Sequence, residues 1–199
     1  MHRQIPNALT ILRILLALSG AVALWYSWEF NVAREAPSVL GDAETAARSL
    51  MVYGGAAFLI AAASDWLDGW LARRWDAQSA LGALLDPIAD KLLVNAYLIV
   101  YTMILEAPVE LAVPVVAMAL RDAAMTLIRM TAAPDGAPSL AVSPAAKLKT
   151  ALAMIVTAIP LVAAPAGLLG SDIVLYGWIG LVWITSAMSL ATGLSYVRR

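Results

Sequence analysis

Six apolar runs dominate this sequence, at roughly 8–28, 50–73, 80–105, 108–130, 145–168 and 172–197. Each is close to the roughly 20 residues that a helix needs to cross a hydrocarbon layer. Lipid offers no hydrogen-bond partners, so each run must satisfy its backbone within its own segment, as a helix does. The expected fold class is therefore all-α, a polytopic membrane protein with a bundle of six transmembrane helices. Composition agrees: of 199 residues, 62% are hydrophobic and 14% charged, with mean hydropathy +0.80. That length is too short for two membrane domains, so residues 1–199 are expected to form one. Cysteine is absent, which excludes disulfides, thiolate metal sites and cysteine nucleophiles. With a net charge of −1 and no basic arm, nucleic acid is not an expected partner. Met1-His-Arg-Gln-Ile-Pro leads straight into an apolar run without a small-residue cleavage site, so no removable leader is expected.

Between the runs the sequence predicts a polar loop from Glu29 to Arg48, a basic turn at Arg73, Arg74 and Asp76, and an acidic turn at Glu106 and Glu110. A Pro/Gly/Ser-rich loop from Pro134 to Pro144 and a short connection from Gly167 to Asp172 follow. With the N-terminus in the cytoplasm, every Lys and Arg except Arg34 and Arg48 falls at or near the cytoplasmic side. This asymmetry predicts that both termini are cytoplasmic. Trp25, Tyr26 and Trp28 are then expected at the outer interface, with core packing as the alternative. Pro160 and Pro165 are expected to kink the fifth helix.

Only the second and third runs carry several acids, in Asp65-Trp-Leu-Asp68-Gly69-Trp-Leu-Ala72-Arg73, then eight residues, then Gly82-Ala-Leu-Leu-Asp86-Pro-Ile-Ala-Asp90. A charge at membrane depth costs about 2.5–3.5 kcal/mol at a helix centre, so four acids need something to bind. At about 100° per residue, Asp65, Asp68, Gly69 and Ala72 share one face, and so do Gly82, Asp86 and Asp90 on the next helix. The two helices run antiparallel, which places both acidic stripes near the cytoplasmic end, able to face each other. Clustered carboxylates suit a hard cation such as Mg²⁺ or Mn²⁺, and such ions can clamp a phosphoryl group. Gly69, Ala72 and Gly82 leave room for close approach, and Arg73 can meet a phosphate. The plainer reading makes the acids structural partners of nearby arginines.

This stretch resembles the signature of the CDP-alcohol phosphatidyltransferases, D-x2-D-G-x2-A-R-x8-G-x3-D-x3-D, at every defined position. The resemblance covers the whole chain, since that family also consists of six-helix membrane proteins of about this size. It implies that Asp65, Asp68 and Asp86 bind one or two metal ions, with Asp90 near the second and acting as the base. Gly69, Ala72, Arg73 and Gly82, with Asp68, would hold the cytidine diphosphate part of CDP-diacylglycerol. The acceptor oxygen would attack the phosphorus attached to the lipid alcohol, and CMP would leave. A homodimer is also implied.

The acceptor is less sharply written. Ile5-Pro-Asn7-Ala-Leu-Thr10-Ile-Leu-Arg13 and Asp86-Pro-Ile-Ala-Asp90-Lys91-Leu resemble the phosphatidylglycerophosphate synthases and cardiolipin synthases of the family. Asn7, Thr10 and Arg13 could line the headgroup site, or Arg13 could only snorkel. Lys91 points away from Asp90 and reads as a snorkelling or helix-contact residue. Arg121, Asp122, Met125 and Arg129 share one face of the fourth helix; Ser143, Lys147 and Thr150 share one of the fifth, with Lys149 nearby. Fixed cations at Arg121, Arg129, Lys147 and Lys149 suit a phosphorylated small alcohol, while positive-inside bias is the bland account. Ala146-Lys-Leu-Lys-Thr150 resembles the enzymes that use glycerol 3-phosphate, whereas Arg121-Asp122 and Ser79-Ala-Leu-Gly82 look more like cardiolipin synthases, which use phosphatidylglycerol.

The expected activity is therefore transfer of a phosphatidyl group from CDP-diacylglycerol to glycerol 3-phosphate at a cytoplasm-facing site in the inner membrane. Two other readings compete with it. An intramembrane prenyltransferase also faces aspartates across helices, but its acidic motifs lie far apart in sequence. A divalent-cation transporter would need polar groups continuing toward the outer face, and Met51–Ala63 and most of Leu92–Leu105 are apolar.

Overall fold

A computed structural model describes residues 4–33, 41–75, 80–131 and 144–197. They form six α-helices: α1 (Gln4–Ala33), α2 (Gly41–Trp75), α3 (Ala80–Ile104), α4 (Val109–Thr131), α5 (Pro144–Ala163) and α6 (Asp172–Val197), with one 3-10 turn at Leu168–Gly170. No strand occurs among the described residues. Five helices contain stretches long and apolar enough to span a bilayer: Asn7–Phe30, Glu44–Asp65, Leu85–Ile104, Val109–Ile128 and Asp172–Gly193. The apolar part of α5, Leu148–Ala163, is shorter.

Several expected boundaries are corrected. Helix replaces both flanks of the predicted loop from Glu29 to Arg48: α1 continues to Ala33 and α2 begins at Gly41. The run Ala43-Glu-Thr-Ala-Ala-Arg48 favours helix despite its polarity. Helix α2, 35 residues long, therefore extends about 52 Å at about 1.5 Å per residue, well beyond its apolar stretch. Arg73 and Arg74 close this helix rather than forming a turn, while Asp76 lies outside the described residues. Glu110 opens α4, so the acidic turn reduces to Glu106 and Ala107, which adopt left-handed φ values of 59° and 53°. Helix α5 ends at Ala163, short of the expected end near Leu168, because Pro165 disfavours helical geometry at the residue before it. Residues 134–143 of the predicted Pro/Gly/Ser-rich loop lie outside the described residues. Tyr26 and Trp28 are exposed, which removes core packing as their account.

The chain divides into two compact units, Met1–Leu105 and Glu106–Arg199. In the first, α1 packs along both α2 and α3, which touch each other only sparsely among the described residues. Its buried stripe runs Thr10, Arg13, Ala17, Ala21, Leu24, at helical spacing. Ala57, Phe58 and Ala61 from α2 and Leu93, Tyr97 and Tyr101 from α3 complete this core. Small residues bring α1 and α2 together: a Cβ on Gly20 would lie 2.8 Å from Ala57 Cβ, and one on Gly54 would lie 3.0 Å from the Gly20 carbonyl. Tyr97 donates to the Gly54 carbonyl at 2.7 Å and packs edge-on against Phe58. Contacts pair Arg13 with Asp65 and Gly20 with Ala57, but Arg13 with Asp90 and Gly20 with Tyr97. Helix α1 is thus antiparallel to α2 and parallel to α3, so the acid-bearing segments of α2 and α3 meet the same end of α1.

In the second unit α6 packs against α4 and α5. Prolines interrupt both partners, and each leaves a carbonyl four residues earlier without its helical donor. Pro114 orphans Glu110, whose carbonyl accepts the Trp183 indole N–H at 2.8 Å. Pro160 orphans Val156, whose carbonyl accepts the Trp178 indole N–H at 2.9 Å. One helix thus repairs two interruptions, as backbone in an apolar environment requires.

Candidate active site

Arg13 lies at the centre of the acidic end of the first unit. Its side chain is 0% exposed, and its Nη1 donates to Oδ1 of both Asp65 and Asp90 at 2.8 Å. Its Nε donates to Ser64 Oγ at 3.4 Å, and that hydroxyl donates to the Ala61 carbonyl at 2.8 Å. One turn earlier on α1, Thr10 donates to Asp86 Oδ1 at 2.6 Å. Thr10 and Arg13 recur at the spacing of the α1 core stripe, and Asp86 and Asp90 follow the same spacing on α3, so helical periodicity alone aligns the pairs. The two carboxylates bound by Arg13 stay partly open, with side-chain exposures of 35% for Asp65 and 26% for Asp90.

The signature acids Asp65, Asp86 and Asp90 are therefore engaged by α1. The snorkelled alternative for Arg13 does not hold: the guanidinium is fully buried because two carboxylates compensate its desolvation. Asp65 of one acidic stripe and Asp90 of the other do meet, through this arginine. Asn7 is half-buried further along α1. Asp68, Gly69, Ala72 and Arg73 fall within α2, and Gly82 within α3; the surroundings of their side chains lie outside the described residues.

The donor set can be weighed against a divalent cation. All available groups are carboxylate oxygens, the ligands preferred by Mg²⁺ and Mn²⁺. One guanidinium is shared by the carboxylates of Asp65 and Asp90. The residues fit a hard cation on these grounds. Among the described residues no group of three potential ligands converges tightly enough to hold an ion unaided.

A second charged cluster occupies the other unit. Arg121 Nη1 donates to Asp122 Oδ1 at 2.8 Å, and its Nη2 donates to Thr192 Oγ1 at 3.1 Å. Lys149 Nζ donates to Ser189 Oγ at 3.3 Å and lies 3.8 Å from the same Asp122 oxygen. Arg121 Nε is buried without a partner among the described residues, directly over Gly193, where a Cβ would come within 2.8 Å of it. Among the described residues, two cations share one acid. Arg121 and Lys149 are thus brought together, whereas the side chains of Arg129 and Lys147 lie outside the described residues. Ser189, Thr192 and Gly193 carry no signal in the sequence, and Asp122 carries only its place beside Arg121. Their neighbourhood depends on α6 packing over α4, which no local spacing encodes.

Comparison with known proteins agrees with these features. The sequence profile of CDP-alcohol phosphatidyltransferase matches residues 3–192. A rice protein (Oryza sativa subsp. japonica) named cardiolipin synthase (CMP-forming) is 32% identical over 152 residues, covering 71% of this chain and 46% of the relative. An Arabidopsis thaliana protein named CDP-diacylglycerol–glycerol-3-phosphate 3-phosphatidyltransferase 2 is 34% identical over 152 residues, 71% of this chain and 64% of the relative. A Mycoplasma genitalium protein with the corresponding glycerol-3-phosphate name is 39% identical over 97 residues, 49% of this chain and 40% of the relative. The chain spans about half the length of the curated relatives it matches. With a profile running across both units and nearly every residue between the ends, the chain belongs to the CDP-alcohol phosphatidyltransferase family.

Proposed function

We propose that this protein transfers a phosphatidyl group from CDP-diacylglycerol to the hydroxyl of glycerol 3-phosphate, releasing CMP. The observation that carries this reading is the gathering of Asp65, Asp86 and Asp90 at one end of the first unit by Thr10 and Arg13. Asp65, Asp68, Asp86 and Asp90 would hold Mg²⁺ or Mn²⁺, which when bound supplies positive charge to the phosphoryl oxygens and the leaving pyrophosphate oxygen. Asp68, Gly69, Ala72, Arg73 and Gly82 would hold the cytidine diphosphate. Asp90 takes the proton of the acceptor hydroxyl as its oxygen bonds to the phosphatidyl phosphorus. The bond from that phosphorus to the CMP oxygen breaks, and CMP carries away the electron pair.

For the acceptor, the reading assigns the phosphate to Arg121 and Lys149, with Arg129 and Lys147. The two cations around Asp122, and the Arg121 Nε–H that finds no partner among the described residues, support this assignment. Asn7, with Thr10 and Arg13, would line the acceptor headgroup side of α1. We place the protein in the inner membrane with six spans and cytoplasmic termini, from the distribution of Lys and Arg. A single domain over 1–199 is supported by the profile's extent, and a homodimer by family resemblance alone.

One further reading has a specific observation behind it. Arg121-Asp122 and the rice relative's name both favour phosphatidylglycerol as acceptor, which would make the protein a cardiolipin synthase. A cation transporter gains no support, since the core adjoining the acids is filled by Ala17, Phe58, Leu93 and Tyr97. The deciding experiment gives purified protein CDP-diacylglycerol and Mg²⁺ or Mn²⁺, with glycerol 3-phosphate, phosphatidylglycerol, inositol phosphate or serine in turn. CMP release with glycerol 3-phosphate supports the proposal. Release with phosphatidylglycerol alone transfers it to the second reading, and silence with every acceptor rejects both.

A further inference from the structure

We infer that Arg13 is a positioning residue that sets the metal ligand Asp65 and the base Asp90 against each other through one guanidinium nitrogen. The inference rests on the reading of these two acids as cation-binding groups. Helices α2 and α3 scarcely touch among the described residues, so little direct packing between those residues sets the distance between Asp65 and Asp90. Helix α1 packs on both, and Arg13 is where it meets the two acids at once. Two oxygens that accept from the same nitrogen cannot lie further apart than the two hydrogen bonds allow.

Burial gives this bridge a direction. Arg13 is completely enclosed, while the acids retain partial exposure, so the guanidinium holds them from the protein side. Arg13 holds Oδ1 of each carboxylate. Ser64 restrains the bridge in turn, because its hydroxyl proton is committed to the Ala61 carbonyl and its lone pairs are left for Arg13 Nε. A guanidinium whose acids lay on one helix would tie no two helices together. A nitrogen shared between acids from two helices instead couples the geometry of one helix to that of the other.

The test is Mn²⁺ binding to the full-length protein in detergent, followed by electron paramagnetic resonance without substrate, together with steady-state CMP release. Arg13→Gln is expected to weaken Mn²⁺ affinity about tenfold or more, the usual effect of losing a group that orients a ligand. It is also expected to lower kcat about a hundredfold, as misplacing a base does, with KM for CDP-diacylglycerol within about threefold. Arg13→Lys keeps the charge on a stem one bond shorter and is expected to fall between the two. Arg13→Gln protein with wild-type or tighter Mn²⁺ affinity and intact kcat overturns the inference, because packing alone would then explain the residue. If that variant is not recovered folded, Arg13→Lys decides: a loss of about threefold supports the bridge, and wild-type affinity rejects it. Wild-type protein that binds no Mn²⁺ would instead defeat the metal-site reading beneath it.

Discussion

Thr10 on α1 donates a 2.6 Å hydrogen bond to the carboxylate of Asp86 on α3, a residue 76 positions away in the chain. Together with the bridge made by Arg13, it means that three signature acids take their orientation from the first helix. The acids define the family pattern, yet the groups that hold them come from outside it.

Thr10→Val removes the donor while keeping nearly the same shape, and Thr10 is buried. Asp86 then loses a hydrogen bond to its charged form, worth about 1.5–3 kcal/mol. The expected outcome is Mn²⁺ affinity weakened about tenfold with an unchanged secondary structure. A titration of Thr10→Val that superimposes on the wild type contradicts this.

Gly20→Ala places a methyl group against the Tyr97 hydroxyl and 2.8 Å from Ala57 Cβ. Overpacking of this kind costs about 1–3 kcal/mol, so the midpoint of thermal unfolding in detergent should fall. Adding Tyr97→Phe removes the obstructing oxygen and should recover part of that loss, despite giving up the bond to Gly54. Failure of the double variant to improve on Gly20→Ala would show that Ala57 is the governing contact.

The two proline repairs predict unequal costs. Trp178 is 2% exposed and Trp183 is 45% exposed, so replacing the first leaves a void in packed protein as well as an unpaired carbonyl, and replacing the second leaves no such void. Trp178→Phe should destabilise by about 1–3 kcal/mol and Trp183→Phe by clearly less. Equal shifts in unfolding temperature for both variants would contradict that ordering.

Gly193→Ala should displace the Arg121 side chain, since the new Cβ would lie 2.8 Å from its Nε. On the proposed acceptor assignment, KM for the phosphorylated acceptor rises about tenfold while KM for CDP-diacylglycerol holds. A rise confined to CDP-diacylglycerol would move this cluster to the donor side.

Chelation should stop turnover altogether. CMP release that persists after exhaustive treatment with a chelator would contradict metal dependence, and restoration by Mn²⁺ or Mg²⁺ would identify the ions accepted.

Much of this was legible in the sequence, for physical reasons that differ from element to element. Hydropathy located the helices because lipid forces apolar runs of a certain length to satisfy their own backbones. It failed at the ends of α1 and α2, where polar residues with good helix propensity extend the helices beyond their apolar stretches. The spacing of Asp65, Asp68, Asp86 and Asp90 put acids on shared helix faces, since helical periodicity is local. The partners of those acids were not local. Whether Arg13 reached for lipid headgroups, an acceptor or a carboxylate depended on the register of α1 against two other helices. That register comes from Gly20, Gly54, Ala57 and Tyr97, whose shapes match only once the helices are assembled. The same holds for Asp122 between Arg121 and Lys149, and for the indoles that cap the carbonyls freed by Pro114 and Pro160. The sequence by itself determined which segments are helices and which carry charge, because those properties follow from neighbours along the chain. Only tertiary packing decided which charges neutralise one another, because electrostatic and hydrogen-bond partners are chosen by distance in space.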